Sequence, residues 1–222
     1  MTPLHPAAIQ RILVFGGTFD PPQRAHVALP REAARRLRCE RALFVPTSSN
    51  PLKPDQPAPA EDRVAMLRLV IEGVPGAELC LLEADAQGPS YTVDTLVELR
   101  RRAGPMTRLH LLMGSDSVRS FDRWREPARI LELATPAVAL RPPDSRESLA
   151  LALRQRLDPE GVEFWMGKVL DLPMVDVSSS EVRRRLASGE PVGDLVDPSV
   201  ERYIREHGLY GARQDPRPRR PS

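Results

Sequence analysis

Short apolar runs and amphipathic stretches alternate along the chain. Ile12, Leu13, Val14 and Phe15 form an unbroken apolar run, the pattern of a strand buried on both faces. From near His26, the residues Ala28, Leu29, Ala33, Ala34 and Leu37 recur at helical spacing, with Pro30 compatible only with the first turn of that helix. The same reading predicts strands over 42–45, 78–82, 109–113, 137–140 and 168–172. Helices are predicted over 61–72, 93–102, 145–157, 181–187 and 198–207. In the first of these Val64, Leu67, Leu69 and Ile71 alternate with Arg63 and Arg68, and Gly73 ends it. Strands alternating with helices predict an α/β class: a mainly parallel sheet with helices on both faces and right-handed crossovers. Residues 1–210 read as a single domain whose last part, about 178–210, is a small helical segment.

Composition narrows the setting. A chain of 222 residues with 41% hydrophobic and 28% charged residues suits a soluble globular protein. The first ten residues lack a basic start and a long apolar run, so no signal peptide is read, and no apolar run is long enough for a membrane span. Cys39 and Cys80 have no metal-ligand spacing, which favours two free thiols in a reduced, cytoplasmic setting. The formal net charge of +2 is a property of the end of the chain. Residues 211–222 carry Arg213, Arg217, Arg219 and Arg220 against Asp215, a net of +3, which leaves −1 for the body. A nucleic-acid partner is therefore not supported, and this Arg/Pro-rich tail reads as disordered. Residues 47–60 are proline-rich and irregular, a long loop of the kind that is functional or disordered, and Lys53 lies inside it.

Candidate chemistry gathers at strand ends. Gly16-Gly17 directly follows the first strand, and a polar stretch leads to His26 at the start of a helix. Strand, glycine turn and helix N-terminus together favour an anion such as phosphate. Gly114-Ser115-Asp116-Ser117 repeats this junction after the strand at 109–113. In a doubly wound sheet, ligands sit beyond the carboxyl ends of strands where strand order reverses, so the two junctions can converge. Neither a G-x-G-x-x-G dinucleotide signature nor a P-loop is present. Ser178-Ser179-Ser180-Glu181 resembles a capping box, and with Arg183, Arg184 and Arg185 behind it the segment offers N–H groups, hydroxyls and a guanidinium to one anion.

These motifs, in order from about Arg11 to Tyr210, resemble the bacterial nicotinate-nucleotide adenylyltransferases of the nucleotidylyltransferase superfamily, with its HxGH-type motif. Gly16-Gly17-Thr18-Phe19-Asp20-Pro21 is similar to the family's first motif, Pro89-Ser90-Tyr91-Thr92 to its substrate loop, and Gly114-Ser115-Asp116-Ser117 to its central G-x-D-S. Phe121-Asp122-Arg123-Trp124 is similar to the stretch ending in a ring-stacking tryptophan. Val177-Ser178-Ser179-Ser180-Glu181-Val182-Arg183 is similar to the I-S-S-T-x-I-R phosphate motif, and Gly208-Leu209-Tyr210 to the usual end. The HxGH motif itself reads Gln23-Arg24-Ala25-His26, with glutamine for its first histidine and alanine for its glycine, and Leu52 stands where histidine often precedes Lys53. The resemblance implies a Rossmann-like doubly wound fold and adenylyl transfer from ATP, with Mg²⁺, to nicotinate mononucleotide. It implies catalytic roles for His26 and Arg183. ATP would meet Gly16, Gly17, Thr18, Phe19, Gln23, His26, Gly114, Asp116, Ser179, Ser180 and Arg183, and the mononucleotide Lys53, Tyr91, Thr92 and Trp124. Two alternatives stay open: a sister transferase with another phosphate acceptor, and a nucleotide-binding protein catalytically weakened through Gln23. A homo-oligomer is compatible with the chain, and nothing in the sequence fixes its assembly.

Overall fold

The computed structural model describes residues 10–47, 57–85, 88–175 and 178–212. Its centre is a five-stranded, wholly parallel sheet of β1 (Arg11–Gly17), β2 (Arg41–Pro46), β3 (Ala77–Leu79), β4 (Arg108–Gly114) and β5 (Thr135–Ala139). The strand order is β3-β2-β1-β4-β5. The chain winds outward from β1 through β2 to β3, then crosses to β4 and winds the other way. The point of reversal is thus the β1–β4 pair, as in a Rossmann-like doubly wound sheet.

Alternation along the strands sorts the core into two faces. Ile12, Val14, Leu43, Leu109, Leu111 and Met113 point to one, where α3 (Thr92–Ala103), α5 (Pro127–Leu133), α6 (Arg146–Arg154) and α7 (Pro159–Met166) cover them. Leu13, Phe15, Phe44, Leu112 and Ala137 point to the other, against α1 (Arg24–Leu37) and α2 (Ala60–Ile71). A third cluster joins Met66 of α2 to Val182 and Leu186 of α8 (Ser179–Ser188) and Val200 and Ile204 of α9 (Pro198–His207). Ala212, two residues past Tyr210, is buried in it.

The structure departs from the sequence reading where tertiary contacts outweigh local pattern. Residues 168–172 are not a strand of the sheet; Val169 makes a single parallel bridge to Val138, and Pro173 stands just beyond it. Pro30 lies well inside α1, past its first turn, and is buried. With no N–H it cannot bond the His26 carbonyl one turn back, a loss that its packing offsets. The buried stripe of α2 is Arg63, Met66, Leu67 and Ile71, while Arg68 and Leu69 face outward, so Arg63 belongs to the inner face. Helices α5 and α7 were not read from the sequence; each opens on a proline, Pro127 and Pro159, in the first turn, where the missing N–H costs nothing.

On β4, His110 stands opposite Leu13 and Thr135. Both of its ring nitrogens are shielded from water and lack a hydrogen-bond partner among the described residues. Burial, assisted by the charges of Arg11 and Arg108, holds its pKa below the ordinary histidine value. The unfolded chain takes up this proton as pH falls through about 6.5, while the folded chain resists it, so stability is complete above that pH and is lost below it. His110→Leu is therefore expected to raise Tm and to shrink the fall in Tm between pH 7.5 and pH 5.5. Thermal melts at the two pH values check this; an unchanged pH dependence in the variant would contradict it.

Candidate active site

The carboxyl ends of β1 and β4 lie side by side, which brings the two glycine junctions to one cleft. Phe15, Gln23, Ala25, His26, Leu29, Leu112, Met113, Gly114, Ala139, Arg141 and Val175 line an open cleft there. Gly16 is exposed at its mouth, and a Cβ on it would meet nothing closer than 4.0 Å. Gly17 has a different physical reason: a Cβ there would come 3.1 Å from the ring of Phe19. Phe19 is buried at a φ of 51°, and its ring meets that of His26 edge-on with centroids 5.2 Å apart. Thr18, between them, is half-buried and its carbonyl accepts from Arg63 Nη1 at 2.8 Å. The glycine makes room for an aromatic buttress that backs the histidine.

His26 is the third residue of α1, and its Nδ1 accepts the Gln23 backbone N–H at 3.1 Å. That bond leaves the neutral ring with its proton on Nε2, a donor. The first amide of the helix is not available to a ligand, because Arg24 N–H is taken by the Leu195 carbonyl at 3.0 Å.

Gln23 is buried, and its Nε2 donates to Ser179 Oγ at 2.9 Å; Ser179 Oγ in turn donates to the Pro21 carbonyl at 3.1 Å. The glutamine thus splices the start of α8 onto the start of α1. Ser178 caps α8 by accepting the Glu181 N–H. Arg183, one turn along, donates from Nη1 to the Asp20 carbonyl at 2.8 Å and from Nη2 to Ser180 Oγ at 3.3 Å.

On the β4 side, a Cβ on Gly114 would lie 2.3 Å from Asp116 Oδ1 and 3.1 Å from Arg141 Nε. Only glycine lets both side chains cross over this strand end. Asp116, exposed, sits in α4 (Ser115–Arg119). Tyr91 and Thr92 form the start of α3, which no side chain caps. The segment after the short 3-10 turn Phe121–Arg123 returns to them. Arg125 lies 4.8 Å over the Tyr91 ring and 3.3 Å from Asp94, and Trp124 packs beside Phe121. The structure therefore brings His26, Gln23, Ser179 and Arg183 together, and separately Tyr91, Thr92 and Trp124. Lys53, Leu52 and Val177, like the tail at 213–222, lie outside the described residues.

Three participants escaped the sequence reading. Arg141 lines the cleft at the end of β5; the signal was a charged residue directly after a strand. Asp20, inside the first motif, is the buried acceptor for Arg183. Arg63, also buried, donates to the carbonyls of Thr18, Thr47 and Ala58 at 2.7–2.9 Å and so pins both flanks of the proline-rich loop to the first glycine loop.

The comparisons agree with this geometry. The family model described as cytidylyltransferase-like matches residues 14–185. A Gemmatimonas aurantiaca protein named a probable nicotinate-nucleotide adenylyltransferase is 36% identical over 200 residues, covering 90% of this chain and 92% of its own. A Roseiflexus protein of the same name is 38% identical over 198 residues, 89% and 96% of the two chains. The chain belongs to the nicotinate-nucleotide adenylyltransferase family. A solved structure of the Plasmodium falciparum nicotinic acid mononucleotide adenylyltransferase complexed with NaAD shares the fold at TM-score 0.71 and 19% identity, over 91% of this chain and 98% of that one. Within this adenylyltransferase the glutamine at position 23 is a buried structural tie. Gln23→Ala should lower stability by about 1–3 kcal/mol, since it removes the buried hydrogen bond to Ser179 and opens space in a packed junction. Denaturant melts measure it, and a change under about 0.3 kcal/mol would show the tie to be idle.

Proposed function

We propose that this chain transfers the adenylyl group of ATP to nicotinate mononucleotide, giving nicotinate adenine dinucleotide and pyrophosphate. The observation that carries the reading is the junction at the switch point: two glycine strand ends, His26, and the start of α8 tied into the same cleft by Gln23. Relatives of that name at 36–38% identity over about nine-tenths of the chain support the same substrates.

The mononucleotide phosphate attacks the α-phosphorus in line; the new P–O bond forms as the bond to the pyrophosphate oxygen breaks. Such a transfer runs on positioning and charge stabilisation, without a protein nucleophile. His26, held by its Nδ1 bond and backed by Phe19, donates from Nε2 to the phosphate oxygens as they gain charge. Ser179 gives its backbone N–H, because its hydroxyl hydrogen is engaged with Pro21. Ser180 and Arg183 complete the grip on the β- and γ-phosphates. Gly16, Gly17, Thr18 and Phe19 form the floor beneath them. Gly114 and Asp116 line the adenosine side, where Arg141 adds a guanidinium. Thr92, at the uncapped start of α3, and Tyr91 face the nicotinate with Trp124, and the family resemblance assigns Lys53 to the mononucleotide phosphate. Among the described residues no group of three or more His, Cys, Asp or Glu side chains gathers to hold a metal. In this reading Mg²⁺ would be held by the ATP phosphates, where it would offset the charge of the leaving pyrophosphate. No helix among the described residues is long and apolar enough to cross a membrane. Cys39 and Cys80 are free thiols, which supports a reducing, cytoplasmic setting.

Pyrophosphate release with nicotinate and nicotinamide mononucleotides tests the function directly. Nicotinate is expected to be the better substrate, and equal efficiency on the two would refute the assignment of Tyr91, Thr92 and Trp124. In the same assay His26→Ala should lower kcat by about 10²–10³ with the fold retained. Wild-type turnover in that variant would reduce His26 to a helix-capping residue.

A further inference from the structure

Segments distant in sequence converge on one carboxylate. Asp20 has a side chain only 9% exposed. Its Oδ1 accepts the Tyr210 hydroxyl at 2.7 Å and the Ala58 N–H at 3.0 Å. Its Oδ2 and its backbone carbonyl are left to Arg183 Nη1, at 3.4 and 2.8 Å. The two carboxylate oxygens are thus divided between partners. Tyr210 belongs to the 3-10 turn Leu209–Gly211, which packs on α8, with Ala187 3.8 Å from where a Gly211 Cβ would sit.

We propose that Tyr210 is a positioning residue for the phosphate end of the ATP site: its hydroxyl orients the Asp20 carboxylate, and Asp20 in turn orients the guanidinium of Arg183. The proposal rests on the reading of Arg183 as a phosphate ligand. Burial, and Asp20 beside it, raise the Tyr210 pKa far above the ordinary phenol value, so the hydroxyl stays a donor across the working pH range. With the hydroxyl gone, Oδ1 keeps only the Ala58 amide, and the carboxylate is free to turn. Both oxygens then face Arg183, and a bidentate carboxylate–guanidinium pair competes with the β- and γ-phosphates for the same N–H groups. The turn that carries Tyr210 therefore tunes how firmly ATP is held, without touching it.

The experiment is Tyr210→Phe in the full chain, measured by steady-state kinetics, by calorimetric titration with ATP alone and by thermal melting. The expected result is a KM and Kd for ATP raised roughly 3–10-fold, the span that one hydrogen bond covers. The kcat and the KM for the mononucleotide should stay within about twofold. In an Arg183→Ala background the same change should add nothing, because the relay has lost its end point. Asp20→Asn is the second variant, expected to weaken ATP binding and likewise to leave Tyr210→Phe without further effect. If Arg183→Ala weakens ATP binding but Tyr210→Phe only lowers Tm, Tyr210 is an anchor of the C-terminal turn and the inference is overturned while the proposed function stands. Additive losses in the double variant overturn it as well. If Arg183→Ala leaves ATP binding unchanged, both the phosphate assignment of Arg183 and this inference fall.

Discussion

The parallel pairing of β1 with β4 is the constraint on which the rest depends. Pairing between these two strands ends with Phe15 opposite Leu112, while β1 stays paired to β2 through Gly17 and β4 to β5 through Gly114. Beyond that pair the chain leaves one strand toward α1 and the other toward α4, and a gap opens between the departing segments. A doubly wound sheet has such a gap where its winding reverses. Both glycine junctions fall there because each terminates one of these two strands. Had β4 paired at the outer edge of β2, Gly114 and Gly16 would lie strands apart and no common cleft would form.

Around the gap, precision comes from buried polar side chains that are fully engaged. Gln23 bonds Ser179, Arg63 bonds three backbone carbonyls, and Asp20 collects Tyr210, Ala58 and Arg183. Each group would be costly to bury alone, and once paired each fixes two segments relative to one another. Burial lowers the Arg63 pKa, and the nearby Asp20 opposes that shift. The arginine reconciles its charge with a dry site by serving carbonyl oxygens from three parts of the chain. This is why loop residues far apart in sequence hold one shape.

The departure from the family's motif at position 23 becomes intelligible in these terms. A glutamine there keeps the donor that a histidine would supply, and spends it on the joint between α1 and α8. Ala25, buried at the second position of α1, adds its methyl to the wall of the cleft. Next to this joint, the guanidinium of Arg183 bonds the carbonyl and the carboxylate of Asp20.

Much of this was written in the sequence. Strand runs such as Ile12 to Phe15, and the helical spacing behind them, carry the class of fold, because apolar period reports which face is buried whatever covers it. The motifs at Gly16, Gly114 and Ser178 were legible for a related reason: turns, close approaches and helix starts demand particular residues locally. The helices at Pro127–Leu133 and Pro159–Met166 were not legible, since two turns carry too little apolar period to stand out in a window of neighbouring residues. Arg63 on the inner face of α2, Pro30 inside α1, and the Asp20–Tyr210 bond spanning nearly the whole chain were decided only by tertiary structure. A charged or hydrogen-bonding side chain can be buried wherever a partner waits, and the partner's position is set by the fold, not by any window of neighbouring residues.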